Sequence, residues 1–510
     1  MNKQIRILGV VIMVCYVAVF VKLNQIQVLD ASKYNDRPEN TRTQLRDFNR
    51  PRGDIVTADG QIAATSEERR AELRYQRVYP FGDLYAHLTG YYSFRLGATG
   101  VERTYNAELT GRTPSLQFHE LSGFFSDPSS EGDVVLTVRS NVQQTAKDAL
   151  ALLGNHADGS PVEGSVVALD PRTGGVLAMY SSPSFDPNAI STNDGDQAEA
   201  VKSLLDAAPS KPLLSRAYQD RFFPGSTFKV VTATAGLTSG LVTETSPDYP
   251  VVTSYTPPLT TRPISNFDGS SCGGTLFPIL ERSCNSSFAQ MAAEQLGPDP
   301  MIAAAEAAGF NDTPPIDLTR PAESVYPTDF GAVVSRPEGA APVYENTPAL
   351  AQTAIGQNDV AATPLQMALV AAGVAHEGRI MTPHVMSEIR ARDGDVVDSY
   401  EPNPWRDSMT PEHAEILRRA MVGVVEQGTA SRLQIPGVEV GAKTGTAQLG
   451  VTPPKSHAWI IAFAGPPGQE PTVAVAVMVQ GVDGAATGAT GNRVAGPVAK
   501  AVIEAALAAP

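Results

Sequence analysis

Three short groups of polar residues, set in apolar surroundings, carry the chemistry this sequence offers. The first lies in the stretch 222–229, Phe-Phe-Pro-Gly-Ser-Thr-Phe-Lys, followed by an apolar run over 230–237. Pro-Gly at the head of such a run marks a helix start. Residues three apart share a helix face, so Ser226 and Lys229 are predicted one above the other, with the hydroxyl at the positive end of the helix. A serine hydroxyl attacks a carbonyl only after a base takes its proton, and a lysine drawn out of water by apolar flanks can be neutral enough to be that base. Of the ten lysines, only Lys229 has a serine three positions before it. The second group is Ser283-Cys284-Asn285, whose hydroxyl and amide can face one cleft from a loop, one passing protons and the other fixing geometry. Ser191-Thr192-Asn193 has the same form, and a turn or cap is the ordinary role of either triplet taken alone. The third is Lys443-Thr444-Gly445-Thr446, inside a predicted strand over 438–448. Lys443 supplies positive potential, Thr444 and Thr446 hydroxyls for a carboxylate, and the strand a row of N–H donors. Gly445 weakens a strand, which suggests that something approaches its backbone closely.

These groups need a rigid frame. Residues 164–170 and 176–180, joined by a Pro-Arg-Thr-Gly-Gly turn, read as a hairpin that opens a new sheet. Runs over 438–448, 458–464 and 472–479 are apolar and β-branched, separated by Pro/Gly breaks, and 494–508 reads as a closing Ala-rich helix. The expected class is α/β, with an antiparallel sheet flanked by helices over 159–510. Residues 29–158 are polar and mixed, with a short β-like run at 133–138 and a helical period at 141–153. They read as a separate pedestal, bounded where Gly, Asp and Pro collect at 154–163. The Pro-rich stretches 247–263 and 312–346 read as loops. A length of 510 residues is more than one ordinary core organises, in keeping with two or three modules.

The N-terminus adds a third part. After Lys3 and Arg6 comes an uncharged apolar run over 7–21, closed by Lys22, with Leu23, Ile26 and Val28 extending its apolar face. No small-x-small cleavage signal follows, so 7–28 is read as an uncleaved transmembrane signal-anchor, with 1–6 cytoplasmic and the rest outside. Cys15 falls in this anchor. Cys272 and Cys284, twelve apart in an oxidising compartment, are free to pair or to remain two buried thiols. The net charge of −15 and the lack of a Lys/Arg cluster set nucleic acid aside. The seven histidines show no ligand spacing, so no metal or cofactor is expected.

In this order, Ser-x-x-Lys, Ser-x-Asn and Lys-Thr-Gly resemble the signature of penicillin-binding proteins and serine β-lactamases, and the order selects Ser283 over Ser191. The likeness extends along the chain. Arg52-Gly53-Asp54-Ile55 with Asp59-Gly60 is similar to the juxtamembrane motif of class B penicillin-binding proteins, although Thr57-Ala58 replaces the usual Asp-Arg. Gly97-Ala98-Thr99-Gly100-Val101-Glu102 resembles their pedestal motif. The stretches 164–170, 182–188 and 354–358, with Thr363-Pro364, are also similar to that class, and the layout is most like its actinobacterial members. The resemblance implies a peptidoglycan D,D-transpeptidase acylated by β-lactams. Ser226 would be the nucleophile, Lys229 the general base and Ser283 the proton donor to the leaving D-alanine. Asn285 would bind the peptide amide, and Lys443, Thr444 and Thr446 the terminal carboxylate. The partners implied are peptidoglycan stem peptides, β-lactams and a membrane glycan polymerase of the shape or division type. A β-lactamase is disfavoured by the anchor, the pedestal and the long gap between Asn285 and Lys443. A bifunctional synthase is disfavoured by the short segment before 164, and a non-catalytic partner by the full set of site residues.

Overall fold

The computed structural model describes residues 2–25, 41–70, 72–116, 131–154, 162–451, 455–483 and 490–508. The first helix, Asn2–Asn24, has exposed side chains along the apolar run and includes a 22-residue stretch, Lys3–Asn24, long and apolar enough to cross a membrane. At about 1.5 Å per residue it reaches roughly 33 Å, slightly more than a bilayer's hydrocarbon thickness. Residues 26–28 of the expected anchor lie outside the described residues.

The main frame is a five-stranded antiparallel sheet in the order Glu439–Gln448, Lys455–Gly465, Val473–Asp483, Gly164–Leu169, Val176–Ser182. The runs 166–169 and 458–464 are buried at every position rather than alternately, because helices cover the sheet on both faces. Gly491–Leu507 and Ser140–Ala151 lie side by side against it, and Pro364–Ala375 and Pro411–Glu426 also pack on it. Pro364–Ala375 is buried all round; Thr363 caps it by accepting from Gln366 N–H, and Pro364 sits in its first turn.

Ser140–Ala151 falls within the range read as pedestal, yet it belongs to this frame. Its apolar face of Val142, Ala146, Ala149 and Leu150 is buried. Gln143 closes the sheet edge, its amide donating to Met179 O at 3.0 Å and accepting from Met179 N–H at 2.8 Å.

The pedestal sheet has six strands in the order Val396–Ser399, Met386–Arg390, Asp133–Leu136, Ile55–Val56, Ile62–Glu68, Tyr75–Val78. Its first two strands come from the second half of the chain, so a single cut at 158/159 does not divide the molecule's sheets. Met386–Arg390 pairs antiparallel with Asp133–Leu136. Asp317 holds the start of that strand, accepting from Val385 N–H (2.7 Å), Met386 N–H (2.9 Å) and the pedestal hydroxyl of Tyr105 (2.5 Å).

Glu102, on the short helix Gly100–Thr104, is fully buried between Arg52 and Arg77, each Nε donating to it at 2.6 Å, with Tyr79 Oη at 3.2 Å. Burial pushes its carboxyl up, but the charges of Arg77 and Arg52 outweigh this and hold it below the ordinary range. The end of the pedestal motif, Gly100–Glu102, is therefore internal wiring rather than an outer contact surface, while 97–99 are half-buried. The stretches 247–263 and 312–346, expected as loops, also carry short strands: Tyr249–Val252, Ser254–Tyr255, Val333–Ser335 and Val343–Tyr344. Such two- to four-residue ribbons carry too little periodicity to be read from sequence.

Candidate active site

Ser226 stands in a single 3-10 turn, Gly225–Phe228, and Lys229 opens the α-helix Lys229–Thr238 that continues it. The expected single helix therefore begins with a tighter turn. The turn lies against the edge strand Glu439–Gln448. A Cβ on Gly445 would come within 2.8 Å of Pro224 O and 3.0 Å of Thr227 Cγ2, so the glycine in Lys-Thr-Gly admits the Ser226 turn, as its position in a strand suggested. On another side Gly225 N–H donates to Gly356 O at 2.9 Å. Gly356 has φ +69°, and its missing Cβ would meet Gly225 O at 2.1 Å.

The loop between Leu276–Glu281 and Asn285–Gln290 carries the second group. Ser283 has left-handed backbone, φ +61°, rare for a residue with a side chain. That turn sends Ser283 and Asn285 toward Lys229, whose ammonium donates to Ser283 O (2.7 Å), Ser283 Oγ (3.2 Å) and Asn285 Oδ1 (2.6 Å). Lys443 Nζ donates to the same Ser283 Oγ at 2.8 Å and to Thr444 O at 3.1 Å. Ser283 Oγ thus joins two buried lysines, both 0% exposed. Burial lowers Lys229 well below the ordinary ammonium range and the charge of Lys443 lowers it further. Burial alone brings Lys443 down to about 7. Ser226, Ser283, Asn285 and Thr446 are half-buried, open to an incoming molecule. The arrangement offers a half-buried hydroxyl three residues before a lysine biased toward the neutral amine, a second hydroxyl bonded to that lysine and able to relay a proton, and an edge strand able to receive an extended chain.

The competing triplet goes elsewhere. Ser191 Oγ accepts from Tyr92 N–H (3.2 Å), and Asn193 Nδ2 donates to Tyr75 O (3.2 Å), both in the pedestal. One feature has no sequence signal and another settles an open alternative. Thr429, in the turn after Pro411–Glu426, shares a 2.8 Å hydrogen bond with Thr444 Oγ1; no local pattern marks it, because the contact is made by the turn's placement. The pairing of Cys272 and Cys284, left open by spacing alone, is resolved as a disulfide.

Comparison with known proteins identifies the family and the fold. Residues 164–504 match the model of the penicillin binding protein transpeptidase domain, and 52–135 that of the penicillin binding protein A dimerisation domain. The peptidoglycan D,D-transpeptidase PbpA of Mycolicibacterium smegmatis is 39% identical, covering 99% of both chains. Its namesake in Mycobacterium tuberculosis is 37% identical over the same share. The structure of penicillin-binding protein A from M. tuberculosis as a ceftriaxone acyl-enzyme complex superposes with a TM-score of 0.79 at 36% identity, covering 91% of this chain and 100% of that one. Its penicillin G acyl-enzyme complex gives 0.77 at 35%, covering 90% and 99%. Motif order, sheet, pedestal and full-length identity converge, and the chain belongs to the class B penicillin-binding proteins, the family of the PbpA transpeptidases.

Proposed function

We propose that this protein is a peptidoglycan D,D-transpeptidase that cross-links stem peptides through an acyl-enzyme on Ser226, in wall synthesis during growth or division, and that β-lactams acylate the same serine. The observation that carries the reading is the convergence of two buried lysines on Ser283 Oγ beside the Ser226 turn. Ser226 Oγ attacks the carbonyl between the two terminal D-alanines while neutral Lys229 takes its proton. The N–H groups of Ser226 and Thr446 receive the developing oxyanion. As the C–N bond breaks, Ser283 passes a proton to the leaving D-alanine and is reprotonated through the lysines. Asn285 holds the peptide amide; Lys443, Thr444 and Thr446 bind the carboxylate, with Gly445 leaving room for the turn. An amine of a second strand then takes the acyl group by the reverse path.

The N-terminal helix serves as a single-pass anchor with 1–6 in the cytoplasm and the catalytic unit, 159–510, outside. The disulfide supports the extracytoplasmic placement. The pedestal, 29–158, stands between anchor and catalytic unit, where it can meet a membrane glycan polymerase. That contact would use its outer faces, since Glu102 is buried.

Time-resolved intact-mass analysis with benzylpenicillin tests the chemistry. A lasting adduct on the native protein, absent in Ser226→Ala, is the expected result. A transient adduct would point to a β-lactamase instead, and no adduct on a folded protein would remove the catalytic reading.

A further inference from the structure

His457 lies on the strand Lys455–Gly465, directly across the ladder from Ala447, which follows Gly445 by two residues on the edge strand. Side chains of register partners share a face of the sheet, and this is the face that carries the Ser226 turn: a Cβ on Gly225 would come within 3.1 Å of Ala447 Cβ, just as one on Gly445 would meet Pro224 O. We propose that His457 is a positioning residue for Ser226, its ring joining the segment that leads into the nucleophile's turn to a bulge in the central sheet. The proposal rests on the reading of Ser226 as nucleophile.

On one side the ring meets Phe222 edge to face, with centroids 5.3 Å apart and planes at 82°. Phe222 opens the stretch that runs through Phe223, Pro224 and Gly225 to Ser226, and its backbone exchanges hydrogen bonds of 2.9 Å in both directions with Ala362. That pairing fixes where the segment runs, and the contact with His457 fixes how it rolls toward the edge strand.

On the other side is the reason a histidine stands there. Between Lys455–Gly465 and Val473–Asp483 the register shifts: Ser456 pairs with Val482 and Ala458 with Val479, so Gln480 and Gly481 together face His457. Such a bulge takes an N–H out of the ladder. Gly481, with φ +61°, turns its N–H to His457 Nδ1 at 3.3 Å, while Gln480 N–H donates the other way, to Glu163 O at 2.7 Å. His457 and Phe222 are 7% and 6% exposed, and burial brings the imidazole down to about 4, which leaves Nδ1 a free lone pair near neutral pH and puts the ring proton on Nε2. A phenylalanine in its place would pack without accepting the bond; an asparagine would accept the bond without the ring.

The test follows benzylpenicillin acylation of the full-length protein in detergent by rapid quench and intact mass, which gives a rate constant and an amplitude, the fraction of molecules able to react. The parent is compared with His457→Asn, His457→Phe, Phe222→Leu, and Phe222→Leu combined with His457→Asn. Misplacement of a catalytic group by an ångström lowers rates by up to about 100-fold, so each single variant is expected to slow acylation about 10- to 100-fold at near-parent amplitude, and His457→Asn to add nothing once Phe222→Leu is present. The parent's rate constant in both His457 variants would overturn the proposal. So would losses that multiply in the double variant, because His457 would then not act through Phe222. A fall in amplitude with the rate constant unmoved would overturn it too, since that describes a residue that only stabilises the fold. If His457→Asn does not fold, His457→Phe, closer in volume, gives the same reading. No adduct on the parent would instead remove the nucleophile reading, and this proposal with it.

Discussion

Replacing Ser283 with alanine removes the one oxygen that joins both lysines. In the resting protein Lys443 keeps Thr444 O at 3.1 Å, and Lys229 keeps Ser283 O at 2.7 Å and Asn285 Oδ1 at 2.6 Å. The ground state therefore loses two hydrogen bonds worth about 0.5–1.5 kcal/mol each net, and water replaces part of that at a half-open site. The transition state loses more. A positioned proton donor contributes about 10²–10⁴-fold, equivalent to roughly 3–5 kcal/mol of barrier. Stopped-flow acylation by benzylpenicillin is expected to slow by that factor while thermal unfolding shifts little. Ser283→Gly separates hydroxyl from backbone, because glycine adopts φ +61° without penalty yet also lacks the oxygen. Both variants should be slow. Acylation at the native rate in Ser283→Ala would refute the proton-relay argument, and recovery in Ser283→Gly would shift the role to the backbone.

Lys229→Arg keeps a cation that cannot be deprotonated near neutral pH, so no benzylpenicillin adduct is expected at any pH where the protein is folded. In the native protein acylation should decline as pH falls through the lowered pKa of Lys229, because the protonated amine cannot take the proton of Ser226. Glu102→Gln leaves Arg52 and Arg77 buried without their counter-charge, and breaking a buried pair this way costs about 3–5 kcal/mol; urea unfolding should show it. The Glu102 carboxyl is held below its ordinary range, so its stabilisation is present above the unfolded-state pKa and lost as pH falls through the folded one. The gap between native and Glu102→Gln should therefore narrow in acid.

What could be read from the chain was local. Ser226 and Lys229 stand out by an apolar flank that draws a lysine inward, and Gly445 by its presence inside a strand; the structure sets Lys229 against the Ser283–Asn285 loop and Gly445 against the turn that carries Ser226. Ser283 and Ser191 were indistinguishable as triplets and were separated only by their order relative to Lys229. Their surroundings, two lysines in one case and pedestal backbone in the other, explain the difference. The pairing of Met386–Arg390 with Asp133–Leu136 spans some 250 positions and leaves no periodic trace, and the Thr429–Thr444 bond depends on where a turn comes to rest. Glu102 was visible as a charge but not as a buried one, because its two arginines lie 50 and 25 positions away.

The strands from the second half of the chain that complete the pedestal sheet also impose an order on how the molecule is made. As the chain emerges from the ribosome, Asp133–Leu136 has its inner neighbour Ile55–Val56 at once, but its outer neighbour arrives only with residues 386–390. Until then the sheet ends in an open edge, the kind of surface that recruits foreign strands. A fragment stopping near residue 158 would carry that edge permanently and should self-associate more than the whole chain does.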